Sequence, residues 1–319
     1  MKKLTEGSKM FVTIMIVFAV YAVIFILFED YDRRYIQPFD EASDWHLLLF
    51  SLVVMAGLAL LLLRYAGHMD KRISSEQAEK ENRMRRELTQ NISHELKTPV
   101  ASILGYTDTI LENPAMDDKT LRQFILRTNT QARRLTSLLQ DISTLNRMDY
   151  AAGMLQMERT DVSQIVADIA EESALSLNRK KMTLRNFLPQ GIVISGNASL
   201  IYSIFRNLLD NSMCYAGEGA SIEISAEDAG NAWRFVFTDN GCGIEEKHLP
   251  RLFERFYRID KSRSRQLGGT GLGLAIVKNA VLQHGGTITA SNRPEGGLKF
   301  DFTLNKNSHP ASAVKGKSR

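Results

Sequence analysis

The sequence predicts a multidomain membrane protein: two transmembrane helices, a helical-hairpin dimerisation domain forming a four-helix bundle in the dimer, and an α/β sandwich domain. Three observations predict it. Two apolar runs lie within the first 63 residues, a long glycine-poor amphipathic stretch follows, and after residue 153 short strands alternate with helices. A chain of 319 residues has room for such modules.

Residues 10–28 form an uninterrupted apolar run of bilayer-spanning length, and residues 46–63 form a second. The first is longer than a signal-peptide core and has no small-residue cleavage site behind it. Lys2, Lys3 and Lys9 precede the first run, and Arg64, Lys71 and Arg72 follow the second. The positive-inside bias therefore predicts cytoplasmic termini at residues 1–9 and from 64 onward. The loop 29–45 is acidic, with Glu29, Asp30, Asp32, Asp40, Glu41 and Asp44 against Arg33 and Arg34. It is too short to bury a core. Tyr31, Tyr35 and Trp45 suit an interfacial belt; the acids read first as a solvated hairpin between the two runs, and otherwise as a surface for cations, a cationic peptide or a membrane stimulus partner.

From residue 66 to about 148 the pattern is helical, with 64–86 a linker and 87–150 the hairpin. Leu88, Ile92, Leu96, Val100, Ile103 and Leu104 make one apolar stripe. His94 lies two residues from both Ile92 and Leu96, so at about 100° per residue it faces away from the stripe. Pro99 removes a backbone donor just below it. The stretch 112–118 breaks the pattern. The next helix carries Leu121, Ile125, Leu135, Leu138, Leu139, Ile142 and Leu145 on its apolar face. A two-helix hairpin cannot bury both stripes alone, which predicts a homodimer.

Residues 151–305 read as one α/β domain. Strands are expected at 155–158, 183–187, 192–195, 221–226, 233–238, 286–291 and 298–304, and helices at 162–177, 197–215, 246–253 and 271–284. Residues 306–319 form a basic tail expected to be disordered. The net charge of +4 is spread without an aromatic-interleaved basic stripe, so no nucleic-acid partner is expected. Cys214 and Cys242 are too few for a disulfide framework and lack zinc-site spacing.

Four constellations in this domain carry chemistry. Asn207 and Asn211 share a helix face at i and i+4, and amide oxygens can ligate Mg²⁺ while amide N–H groups hold phosphate oxygens. Asp239-Asn240-Gly241-Cys242-Gly243-Ile244 follows a strand and offers a carboxylate to an amino group beside glycines that allow close approach. Phe253-Glu254-Arg255-Phe256-Tyr257-Arg258 supplies aromatic anchors and charge. Gly268-Gly269-Thr270-Gly271-Leu272-Gly273-Leu274 opens a helix whose amides can cradle phosphates.

Together with Asn91-Ile92-Ser93-His94-Glu95-Leu96-Lys97-Thr98-Pro99, these runs resemble the H, N, first glycine, F and second glycine boxes of the transmembrane sensor histidine kinases of bacterial two-component systems. The resemblance covers roughly residues 87–304. It implies a dimeric phosphoacceptor hairpin and a Bergerat-type ATP-binding sandwich. By that resemblance His94 takes the γ-phosphoryl group of ATP, and Glu95 is its hydrogen-bond partner or general base. Thr98 helps orient a water that dephosphorylates the partner response regulator. Asn207 would ligate Mg²⁺, Asn211 and Tyr215 would contact phosphates, and Asp239 would recognise adenine. Gly241 and Gly243 would shape the base pocket and Arg258 would stabilise transferring charge. Gly269, Thr270, Gly271 and Gly273 would line the triphosphate, with Ile244, Tyr257 and Leu272 completing the nucleotide-binding set. Residues 259–268 would be the lid.

Two departures stand out. Cys214 occupies the position where the N box commonly carries a lysine. The interval between the second apolar run and His94 is too short for a HAMP relay, so the signal is expected as a rotation, tilt or register change of a continuous helix. The alternative functions are a Bergerat-fold ATPase clamp, which has no use for the run around His94, and a catalytically weak membrane scaffold.

Overall fold

The computed structural model describes residues 20–31, 34, 45–150, 156–260 and 269–307. The chain divides into two compact units, residues 1–87 and residues 88–319. In the first, residues 20–31 are helical, and Val23, Ile26 and Leu27 are exposed. Leu49, Leu52, Val53 and Leu60 are likewise exposed on helix α1 (Trp45–Glu112). Among the described residues no helix is long and apolar enough to cross a membrane. Residues 10–19 of the first apolar run, most of the acidic loop, residues 261–268 of the expected lid and residues 308–319 of the tail lie outside the described residues.

The second unit begins with the remainder of α1, which contains Pro99, and with α2 (Asp118–Tyr150). Between them Asp117 Oδ1 accepts the Thr120 N–H at 2.9 Å, a side-chain cap for one of the four orphan donors of α2. Leu138, Leu145 and Met148 are buried, and Leu96 and Ile142 pack against the same core. By contrast Val100, Leu104, Ile125 and Leu139 of the apolar stripes are exposed.

The α/β part runs β1 (Glu158–Asp161), α3 (Val162–Arg179), β2 (Thr183–Phe187), β3 (Val193–Gly196), α4 (Ala198–Tyr215), β4 (Ser221–Asp228), β5 (Ala232–Asp239), a 3₁₀ turn (Glu246–Arg251), α5 (Gly273–Gln283), β6 (Ile288–Asn292) and β7 (Leu298–Asn305). The main sheet has the order β2-β4-β5-β7-β6. Among the described residues of this sheet only the β2–β4 pair is parallel. β1 and β3 form a separate antiparallel pair. Alternation along β5 and β7 puts Phe235, Phe237, Phe300, Phe302 and Leu304 into the core. There Phe205 of α4 meets Phe235 edge-on at 5.5 Å between ring centroids. Asp161 and Asn197 cap α3 and α4, accepting the N–H groups of Gln164 and Leu200.

Two sequence expectations are corrected. Residues 246–253 are not an α-helix: Pro250 lacks the N–H that an α-helical turn requires, and only a 3₁₀ turn forms over Glu246–Arg251. The first strand is not at 155–158 but at Glu158–Asp161, where it pairs with β3 and ends on the residue that caps α3. The remaining expected elements agree within about two residues at each end.

Candidate nucleotide and phosphoacceptor site

A cavity of about 910 Å³ opens between α4, the loop after β5, the start of α5 and one face of α2, a volume suited to a nucleotide-sized ligand. Asn207, Asn211, Tyr215, Asp239, Gly241, Gly243, Ile244, Tyr257, Arg258, Gly269, Thr270, Gly271 and Gly273 all line it. Leu272 does not. It is fully buried in the core, and only its backbone N–H reaches the site, donating to Thr270 Oγ1 at 3.2 Å.

Asp239 ends β5 almost wholly buried, and its carboxylate is fixed by three donors. Oδ1 accepts the N–H groups of Gly241 (2.9 Å) and Leu298 (3.3 Å), and Oδ2 accepts Ser212 Oγ–H (2.9 Å). A buried carboxylate needs such partners. Ser212 is therefore a site residue that sequence reasoning missed, although its place directly after Asn211 on the buried face of α4 was visible.

Gly273 permits the closest approach in the site. A Cβ there would stand 2.6 Å from Asn207 Oδ1, so any larger residue would push the Asn207 amide out of this position. Asn207 is held by its own Nδ2, which donates to the Ser203 carbonyl at 2.7 Å. Gly271 has a positive φ of 74°, and its carbonyl accepts the Phe256 N–H at 2.8 Å. Phe256, itself at φ 62°, turns the chain so that Tyr257 and Arg258 enter the cavity. Tyr257 OH lies 2.6 Å from His248 Nδ1, and the Arg251 guanidinium sits 4.3 Å above its ring.

The helical hairpin contributes to the same cavity. Asp141 of α2 accepts the Thr270 hydroxyl at 2.7 Å, and burial pushes its carboxyl above the usual carboxylate range, against that hydrogen bond. Asp210 is raised by burial too, with Arg206 pulling it down. Glu95 does not line the cavity but holds an arginine that does. Its Oε2 accepts Arg258 Nη2 at 3.0 Å and Arg134 Nη2 at 3.2 Å. The side chains are 16% (Glu95), 5% (Arg258) and 9% (Arg134) exposed, which makes this a largely desolvated ionic cluster. Arg134 and Asp141 were not foreseen. Each sits on an amphipathic helix where its charge reads as solvated surface.

His94 is exposed and lies elsewhere. With Lys97, Thr98, Ala101 and Ser102 it lines a shallow depression on α1. Among the described residues no hydrogen bond joins Glu95 to His94, and the Thr98 hydroxyl donates back to the His94 carbonyl at 3.2 Å. Residues 261–268 of the expected lid lie outside the described residues.

A phosphoacceptor-type helical hairpin joined to an ATPase-type α/β sandwich is the class of protein these features define. Residues 84–151 match the model of the His Kinase A (phospho-acceptor) domain, and residues 196–308 match that of the histidine kinase-, DNA gyrase B- and HSP90-like ATPases. The chain belongs to the sensor histidine kinases. It is 32% identical to the sensor-like histidine kinase SenX3 of Mycolicibacterium smegmatis, over 72% of this chain and 59% of that protein. It is 33% identical to the signal transduction histidine-protein kinase BaeS of Escherichia coli, over 71% of this chain and 48% of that one. The chain thus spans about half the length of the curated relatives it matches. In fold it is similar to the histidine kinase AdeS of Acinetobacter baumannii (TM-score 0.55, 24% identity, 67% of this chain and 98% of that one). It is also similar to the histidine kinase ThkA solved in complex with the response regulator protein TrrA (TM-score 0.56, 21% identity, 69% and 61%).

Proposed function

We propose that this chain phosphorylates itself, or its twin, on His94 from Mg-ATP and passes the phosphoryl group to an aspartate of a cognate response regulator. The observation that carries the reading is the presence, in one compact unit, of a solvent-presented histidine and a nucleotide-sized cavity built from all four boxes. The chemistry follows from positioning and charge. His94 supplies the nucleophilic nitrogen: an N–P bond forms, the bond from phosphorus to the bridging oxygen breaks, and ADP leaves. Asp239, held rigid by its three donors, is oriented to accept from the adenine amino group. Asn207 would hold Mg²⁺ through its amide oxygen, an ion that would neutralise phosphate charge, and Asn211 and Tyr215 would meet the phosphates. Among the described residues the buried Nε–H of Arg258 has no hydrogen-bond partner, a donor left over for an anionic oxygen.

Glu95 serves His94 as base only after it lets go of Arg258. The same release frees Arg258 for phosphate, so undocking one contact readies both groups. Arg134 keeps Glu95 in place meanwhile. Thr98, one turn below His94 and beside it in the surface depression, is suited to orienting a water for the reverse, regulator-dephosphorylating reaction.

The protein acts as a homodimer. The exposed Val100, Leu104, Ile125 and Leu139 support this, since a four-helix bundle with a second copy would cover them. The two apolar runs and the exposed apolar side chains of residues 20–27 and 49–62 support a bacterial cytoplasmic-membrane location with both termini inside.

The test is incubation of the full chain with labelled Mg-ATP beside His94→Gln. Acid-labile, alkali-stable label lost in the variant is the expected result. ATP binding without label on the wild type would turn the reading towards a nucleotide-operated clamp.

A further inference from the structure

Among the described residues three permanent cations, Lys180, Arg206 and Arg258, line the cavity described above. Two are committed to carboxylates: Arg206 Nε lies 3.0 Å from Asp210, and Arg258 Nη2 lies 3.0 Å from Glu95. Lys180 differs. It follows α3 directly, and its Nζ donates to the Met213 carbonyl at 2.6 Å. Among the described residues no carboxylate lies within ion-pair distance of it. An ammonium has three N–H donors, so that contact leaves two.

Its position gives those donors a use. Asn207, Asn211 and Cys214 succeed one another by four and three residues along α4 and share a face lining the cavity. The row ends in a neutral thiol, and the last turn of a helix presents carbonyl oxygens, the negative end of its dipole. A phosphate chain laid along this row meets repulsion where the helix ends. Lys180 stands at that point: its ammonium touches Met213, and its charge is felt at both Cys214 and Asp210.

We propose that Lys180, reaching in from the end of α3, is the phosphate-binding cation at the C-terminal end of the Asn207–Asn211–Cys214 row, a position where α4 itself provides none. The inference rests on the nucleotide reading of the cavity. The competing role, a lysine that only caps helix carbonyls, is common, so the test separates the two.

Dissociation constants for ATP, ADP and adenosine are measured by calorimetry on the full chain. The variants are Lys180→Met, Cys214→Lys and the double variant, with thermal midpoints in parallel. Lys180→Met is expected to weaken ATP and ADP about tenfold, the loss of one charge-assisted contact, and adenosine less than twofold. Adding Cys214→Lys is expected to recover most of that loss, because it returns a cation to the same point from α4. Equal weakening of adenosine and ATP, or a loss that Cys214→Lys does not recover, assigns Lys180 to capping and overturns the proposal. A wild type that binds ATP while Lys180→Met binds it equally well overturns this proposal alone. A wild type that binds no ATP overturns the nucleotide reading and this inference together.

Discussion

Glu95 and Arg258, 163 positions apart in sequence, meet at 3.0 Å in a nearly solvent-free contact between the helical hairpin and the ATPase-type domain. Arg134 shares the same carboxylate oxygen. Removing one member leaves an under-paired buried charge, which is more damaging than losing a surface ion pair. A double-mutant cycle of Glu95→Gln and Arg134→Met, read by thermal or denaturant unfolding, should show a coupling of about 1–3 kcal/mol. Additive effects would mean that the two side chains do not act as a unit. In kinase assays Glu95→Gln should lower autophosphorylation more than tenfold. Arg134→Met should lower it less, since it leaves the carboxylate in place.

Asp141 and Thr270 form another contact between hairpin and domain. The Asp141 carboxylate holds a hydroxyl that a triphosphate is expected to need, and its charge opposes an approaching polyanion. Its raised carboxyl shows that burial already disfavours the ionised form. The sign follows: a carboxyl whose folded value lies above its unfolded one lowers stability once pH rises past the unfolded value, near 4. Asp141→Asn removes the charge and keeps the shape. It should tighten ATP binding about three- to tenfold by equilibrium titration at neutral pH and leave adenosine unchanged. Weaker ATP binding would instead make Asp141 a supporting member of the site.

These contacts mark where sequence reading stops. Strand β2 was legible to the residue, Thr183–Phe187, because a short β-rich run sits between turn residues. The cavity was legible because its boxes cluster at four places along one domain. Arg134, Asp141, Ser212 and Lys180 were not, since each acts through a partner fixed only by packing: 39 residues away for Glu95–Arg134, 129 for Asp141–Thr270. Leu272 shows the complementary limit, since its side chain is buried. Its neighbours Thr270, Gly271 and Gly273 face the cavity, but an apolar side chain entering α5 is more favourable in the core.

The exposed stripe of the hairpin bears on assembly. Leu104 and Leu139 are more than half exposed, although both lie on the apolar faces of α1 and α2. Replacing Leu104 by Glu introduces a charge that a four-helix bundle would have to desolvate. Leu104→Glu should shift the full chain, solubilised in mild detergent, from dimer to monomer by light scattering, with the α/β part still binding ATP. A variant that remains dimeric would place the dimer contact elsewhere.

His284 ties the end of α5 to the start of α4 without touching the nucleotide cavity. Its ring is fully buried, Nε2 accepts the Asn197 N–H at 3.0 Å, and Nδ1 lies 2.7 Å from the Ala280 carbonyl. Only the neutral tautomer with the proton on Nδ1 satisfies both bonds. Burial holds its pKa below the ordinary 6.5, so the unfolded chain takes up the proton first as pH falls. Its stabilising contribution is therefore complete above about pH 6.5 and declines as pH drops through that value towards the lower folded one. Unfolding midpoints between pH 7.5 and 5 should fall more steeply for the wild type than for His284→Gln. The variant itself should be less stable by about 1–3 kcal/mol at pH 7.5, since Asn197 N–H then loses a well-placed acceptor. Parallel pH profiles for the two proteins would show that the imidazole is not the group whose protonation opens this corner of the fold.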